Sequence, residues 1–153
     1  MSMFSAFNIS ASGLTAQRYR MDVISENVAN ASTTRTEDGT PYVRKIVTFE
    51  QKGAQTDFSH VMKHISNTKY GYGGYSGQGV KVSATLEDTK TEMKMVYDPS
   101  HPDADENGYV TYPNVDIITE MTNMIDASRA YEANSTAFNA SKSMALKGLE
   151  LGK

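Results

Sequence analysis

Few side chains in this sequence are both reactive in type and spaced for chemistry. His60 and His64 stand four apart, which puts two imidazoles on one helix face and opens the zinc-protease pattern. That pattern needs a glutamate directly after the first histidine, as general base, and a third ligand. Here the run is His60-Val61-Met62-Lys63-His64 and the only other histidine is His101, so two solvated surface histidines are expected. Asp103, Asp105 and Asn107 fall at positions 1, 3 and 5 of a calcium loop, with Gly108 at 6 and Val110 at 8. The match then fails. Asn114 stands where the bidentate glutamate belongs, Pro113 precedes it, and Pro99 and Pro102 forbid an entering helix. An acidic, solvated turn is the expectation, with these three as weak calcium candidates. There is no cysteine, hence neither disulfide nor thiolate chemistry. No serine sits in a nucleophile elbow, and the glycines of 71–79 lack the lysine and helix of a phosphate cradle. No carboxylate pair stands in an apolar segment. The residues support neither an enzyme nor a cofactor.

Composition narrows the partners. Net charge is −3 and the 15 basic residues are scattered, which argues against nucleic acid. No apolar run approaches the roughly 20 residues that span a bilayer. The opening, MSMFSAFNISASG, has no basic residue ahead of its apolar part, so no cleaved secretory signal is visible. Export by a machine that reads another signal stays open. Nine methionines and nine tyrosines without tryptophan fit adaptable packing surfaces, or ordinary core filling. A chain of 153 residues makes one or two small domains.

The elements that must position these residues begin and end with helices. From Asn114 to Leu151 there is no proline and one interior glycine, Gly148. Ile117, Met124, Tyr131, Phe138 and Ala145 recur every seven residues, and Met121, Ser128, Ser135 and Leu149 follow four later. A second stripe of small residues runs beside them: Ala127, Ala130, Asn134, Ala137 and Ser141. Arg129, Glu132, Lys147 and Glu150 are left for water. One apolar face suffices for a helix on one core; two predict neighbours on two sides, or a long helix in an ordinary bundle. Residues 4–30 form a matching helix on Phe7, Leu14, Met21 and Val28, with Tyr19, Asp22 and Glu26 opposite. Gly13 weakens it by about 1 kcal/mol relative to alanine.

The middle differs. Tyr42–Glu50, Val80–Leu86, Glu92–Tyr97 and Tyr109–Tyr112 read as strands, the second and third alternating as half-buried strands do. Residues 55–66 have helical spacing but are short, and YGYGGYSGQG at 70–79 predicts a mobile loop. The expected class is α+β: long terminal helices pairing as a coiled coil, with a small β-rich domain between. The boundaries are 1–34, 35–112 and 113–153. So small a middle has few large aliphatic residues, and two lone helices would fray. Burial among copies of itself would remove the deficit.

At Glu26-Asn27-Val28-Ala29-Asn30-Ala31-Ser32-Thr33 the first helix closes on N-V-A-N-A-x-T, which resembles the N-terminal signature of the flagellar axial proteins of rod and hook. Asn114-Val115-Asp116-Ile117-Ile118-Thr119-Glu120-Met121, followed by Ala127-Ser128-Arg129-Ala130-Tyr131-Glu132-Ala133-Asn134, resembles the family's C-terminal helix. Val96-Tyr97-Asp98-Pro99-Ser100-His101-Pro102-Asp103-Ala104, then Gly108-Tyr109-Val110 and Pro113-Asn114-Val115, are similar to the short proximal-rod members. The likeness covers both ends and residues 80–116, not 52–79, and Arg35-Thr36 replaces the family's glycine-aromatic pair.

The resemblance implies a structural subunit of the rod that crosses the periplasm in the flagellar basal body. It implies export, unfolded, through the flagellar type III apparatus without signal cleavage. Paired terminal helices would form an inner layer with the β region outside. Partners would be proximal and distal rod proteins, the ring or export-gate junction protein, the export apparatus and copies of itself, without membrane insertion. Phe7, Leu14, Met21, Val28, Ile117, Met121, Met124, Tyr131 and Phe138 become the assembly interface. Asn27, Asn30, Asn114, Arg129 and Asn134 are the motif residues. Asn27 and Asn30 can close the last helical carbonyls or bridge to the partner helix, and Arg129 is free for an intersubunit ion pair. The other reading is a secreted coiled-coil binding module, calcium-responsive through Asp103, Asp105 and Asn107.

Overall fold

The computed structural model describes residues 3–52 and 78–150, with side chains from Ser5 onward. The order is α1 (Met3–Ala29), β1 (Lys45–Gln51), β2 (Val80–Glu87), β3 (Lys94–Tyr97), β4 (Tyr109–Tyr112) and α2 (Ile117–Glu150). The α+β class holds: two long helices flank a small region of two antiparallel sheets, β1–β2 and β3–β4. His60, His64, the piece at 55–66 and nearly all of the loop at 70–79 lie outside the described residues.

The final helix starts three residues later than its first apolar residues suggest, because Asp116 caps it. Its Oδ2 accepts from the Thr119 hydroxyl (2.8 Å), its Oδ1 from the Ile118 amide (3.3 Å), and its carbonyl from the Glu120 amide (2.9 Å). The first helix stops where Asn30 turns its side chain back onto the Glu26 carbonyl (3.0 Å).

The helices pack antiparallel. Asn27 lies opposite Glu120, Gly13 opposite Asn134, and the Phe7 and Phe138 rings meet edge to face at 5.1 Å. Gly13 is a requirement of this seam as well as a cost to the helix. A Cβ there would stand 2.7 Å from Asn134 Oδ1, whose amide is tied to the Ala130 carbonyl (2.8 Å). The stripe of small residues supplies the closest approach, with Ala127 fully buried and Asn134 and Ser141 half-buried, while Ala137 turns outward.

α1 also covers β1–β2, on the side expected to face water. Tyr19 shares a hydrogen bond with Thr85 (2.9 Å), Lys45 pairs with Glu26, and the Val80 amide donates to the Ser12 hydroxyl (3.1 Å). Short hydroxyls and long polar side chains reach a sheet where a purely apolar count sees only a wet face. Gly79, at φ +93°, lets the chain enter β2 against Ser12.

β1 and β2 pair from Lys45↔Glu87 to Gln51↔Val80, with an irregularity between Thr48 and Phe49. β2 begins with the expected alternation. β3 does not: all four residues are exposed, Met95 and Tyr97 among them. Among the described residues β3 pairs only with β4 and neither helix packs on that sheet, so period two buries nothing there. β4 is inserted more deeply, through Val110.

Candidate functional site

The largest fully buried side chain in the described structure is Glu120, and Asn27 joins it at 1 % exposure. A carboxylate buried that completely must be satisfied. Position 120 is the first residue of the stripe Glu120, Ala127, Asn134, Ser141, so helix periodicity drives it against α1. Asn27 is brought there by the last full turn of α1.

Around these two residues four segments are joined. Asn27 Nδ2 donates to Glu120 Oε2 (3.1 Å) and to the Lys45 carbonyl (2.8 Å). Asn27 Oδ1 accepts from the Tyr42 hydroxyl and from the Lys45 amide, both at 2.9 Å. All four hydrogen-bonding positions of the amide are filled. Glu120 Oε1 accepts from Arg44 Nε (3.0 Å), Arg44 Nη2 (2.6 Å) and Asn123 (3.3 Å). Arg44 extends its remaining nitrogen to Asp88 Oδ2 (3.4 Å). Asn114 accepts from the Arg44 amide (2.9 Å) and donates to the carbonyls of Asp88 (2.7 Å) and Thr91 (3.2 Å).

The charges are placed to suit. The hydroxyl and amide of Thr91, with the Lys90 amide and Arg44, hold the Asp88 carboxyl below its usual range, against the opposing effect of burial. Burial, reinforced by the carboxylates of Glu26, Glu120 and Glu87, pushes the Tyr42 phenol up to about 12, so it stays a donor to Asn27. The network spends its hydrogen bonds on its own members. Its chemistry is that of a clamp, locking the end of α1, the start of β1, the turn after β2 and the start of α2 in one register.

Beside the clamp, away from the sheet, Ser25, Val28, Ala29, Met121, Met124 and Ile125 line an apolar groove between the helices. Met121 and Ile125 are more than half exposed, as is Ile118, and Ile117 is nearly so.

The motif asparagines divide the two roles open to them: Asn27 bridges to the partner helix, and Asn30 closes a carbonyl of its own. Asn114 belongs to the clamp, Asn134 to the Gly13 crossing, and Arg129 is exposed with no ion pair among the described residues. Of the expected interface residues, Phe7 and Phe138 meet within the chain. Leu14, Met21, Val28 and Met124 are half-buried, and Ile117, Met121 and Tyr131 are exposed. Of the calcium candidates, Asp105 works inside its own loop and Asp103 reaches out to the segment after α1. Asp105 Oδ1 accepts from the Asn107 and Tyr109 amides (2.9 and 2.8 Å), and Asp103 accepts from the Thr34 hydroxyl (2.8 Å). Among the described residues no group of three or more potential acidic, histidine or cysteine ligands gathers, and no helix is long and apolar enough to cross a membrane.

The sequence assigns no site role to Glu120, Arg44, Tyr42 or Asp88. One signal was present for Glu120: the small-residue stripe, carried back seven positions from Ala127, lands on an acid, and an acid on a buried stripe demands a cation.

Two family models match the chain at its two ends. One, described as flagella basal body rod protein, covers residues 7–35; the other, described as flagellar basal body rod FlgEFG protein C-terminal, covers residues 106–151. The first match contains Asn27, and the second contains Asn114 and Glu120. The chain is 46 % identical over 157 residues to the flagellar basal-body rod protein FlgC of Bacillus subtilis, covering all of both chains. It is 47 % identical over 150 residues to that of Borreliella burgdorferi, covering 94 % of this chain and 93 % of the other. With that of Salmonella typhimurium it shares 40 % over 153 residues, again along both full lengths. With end-to-end identity at this level, and with Asn27, Asn114 and Glu120 inside the matched regions, the chain belongs to the FlgC family of flagellar basal-body rod proteins.

Proposed function

We propose that the chain is a non-enzymatic building block of the proximal rod, exported unfolded by the flagellar type III apparatus without signal cleavage and ordered fully on assembly. It transmits torque from motor to hook and filament. Residues 1–34 and 113–153 form the inner layer, where the helices pair as a coiled coil with those of neighbours, and 35–112 form the outer part. Its partners are copies of itself, other proximal and distal rod proteins, the ring or export-gate junction protein and the export apparatus.

The observation that carries this reading is apolar surface left uncovered on α2. Ile118, Met121, Ile125, Met144, Leu146 and Leu149 are all more than half exposed. Single exposed apolar residues are ordinary, but two clusters of them on one helix, Ile118, Met121 and Ile125 at its start and Met144, Leu146 and Leu149 at its end, mark association surfaces.

Deletion of the gene, with complementation by variants, tests the reading. Cells without the chain should lack rods in micrographs of basal bodies and should not swim. Met121→Asp changes an exposed side chain, so the isolated fold should keep its stability within about 0.5 kcal/mol while rod assembly stops. Met124→Asp and Phe138→Asp should also block assembly, but Phe138 packs on Phe7, so that variant loosens the helix pair as well. Swimming cells that carry no copy of the chain would refute the proposal.

A further inference from the structure

Cysteine is absent and methionine occurs nine times, so thioethers are the only sulfur on this chain that an oxidant can reach. The structure describes six methionine side chains, and they fall into two groups. Met21, Met93 and Met124 are half-buried. Met95, Met121 and Met144 are exposed, at 63 %, 57 % and 67 %. Oxidation of a thioether needs access to a sulfur lone pair, so the exposed group reacts first.

The three exposed sites differ in their surroundings. Met95 stands on β3, in the sheet on which neither helix packs among the described residues. Met144 stands in the last two turns of α2. Met121 lines the apolar groove with Val28, Ala29, Met124 and Ile125, and Ser25 adds the one polar side chain of that wall. Its thioether therefore belongs to an apolar surface and stands open to water. Conversion to the sulfoxide turns a flexible apolar side chain into a polar one. Only the Ser25 hydroxyl among the groove's side chains can donate to the new oxygen, so burying it under a partner carries the cost of an ill-satisfied acceptor. The exposed charges nearby have both signs, Asp22, Asp126 and Glu132 against Arg129, and an uncharged oxidant is steered by none of them.

We propose that the Met121 sulfur is a reversible oxidation site whose sulfoxide form removes the clamp-side groove as an association surface. The oxidant is a hydroperoxide. A lone pair of Sδ attacks one peroxide oxygen, the S–O bond forms and the O–O bond breaks. The departing hydroxide takes the proton of the transferred oxygen and leaves as water. The sulfur gives up two electrons and the peroxide gains them. A methionine sulfoxide reductase, drawing two electrons from a dithiol, restores the thioether and releases the oxygen as water. The effect on association rests on the rod reading above; the reactivity of the sulfur does not.

Full-length protein is treated with dilute hydrogen peroxide, quenched at intervals and digested, and the sulfoxide at each methionine is measured by mass spectrometry. Met121 should oxidise several-fold faster than Met124, its half-buried neighbour in the same groove, and the two rates should become equal in urea. Treatment with the reductase should return Met121 to its original mass. Equal rates for Met121 and Met124 in the folded protein would overturn the site. Met121→Gln supplies a permanent polar side chain, and Met121→Leu an apolar one without sulfur; both change an exposed helical position, so the circular dichroism spectrum should not move. In the deletion strain Met121→Leu should restore swimming, and Met121→Gln should give a several-fold smaller swimming halo. Equal halos would overturn the effect on association. If the deletion strain swims unaided, the rod reading fails, while faster oxidation of Met121 still upholds the site.

Discussion

Replacing Arg44 by methionine isolates the ion pair at the centre of the molecule. The methionine keeps much of the apolar stem and removes only the guanidinium. Glu120, at 1 % exposure, then loses two of its four hydrogen bonds and its only cation. Asp88 is affected less, since the hydroxyl and amide of Thr91 still bind it. Breaking a buried pair by removing one partner costs about 3–5 kcal/mol, chiefly through the carboxylate left behind. The Arg44 side chain is itself 23 % exposed, which places the loss at the lower end, near 3 kcal/mol. With an m value of about 2 kcal/mol/M, the urea midpoint followed by far-ultraviolet circular dichroism falls by about 1.5 M. Adding Glu120→Gln removes the stranded charge and keeps an oxygen for Asn27, so the double variant should recover about 1–2 kcal/mol of the loss, a coupling typical of residues in one network. A loss under about 0.5 kcal/mol for Arg44→Met, within the range of an ordinary surface change, would show that the pair is not what holds the junction. A double variant weaker than Arg44→Met alone would show that the charge is not the source of the loss.

Tyr42 should make the fold sensitive to alkali. Its phenol ionises near 10 when unfolded and is held neutral up to about 12 when folded, so the unfolded chain binds fewer protons in that window and stability falls as pH rises through it. Tyr42→Phe should flatten this slope, and an unchanged slope between pH 10 and 12 would assign it elsewhere. Asp116, its carboxyl held below the usual 3.8 by the Thr119 hydroxyl and the Ile118 amide, adds stability that is present above that value and lost as pH falls through the lowered one. Asp116→Ala should lower stability at neutral pH as a lost cap and should reduce the acid slope; denaturant titrations at neutral and acid pH read both. Gly13→Ala should add about 0.5–1 kcal/mol of helix propensity only when Asn134→Ala has cleared the crossing. Equal gains in thermal melts of both backgrounds would remove Asn134 from that role.

The helices and strands were legible because their signals are local. Residues 117–150 lack breakers and repeat every seven, and Tyr109–Tyr112 is β-branched or aromatic throughout. The motif asparagines were legible only through resemblance, and physical reasoning left Asn27 and Asn30 with two roles each until the fold divided them. Arg44 and Asp88 were not legible, since nothing near either residue in the chain announces a partner 76 or 44 positions away. Tyr19 misled for the same reason: it reads as a wet-side residue unless Thr85 is known to lie across from it. β3 misled in the opposite direction, because alternation reports a capacity to be half-buried and not the presence of anything to be buried against.

Closure of the centre depends on residues spread from Asn27 to Asn123. Asn27 is synthesised early and Glu120 only after four-fifths of the polypeptide has been made. Until then Asn27 has only Tyr42 and Lys45 as partners, and Arg44 only Asp88. A growing chain therefore spends most of its synthesis unable to complete its own middle. Such late, long-range closure is slow, and it leaves a nearly finished polypeptide still pliable enough to be threaded elsewhere.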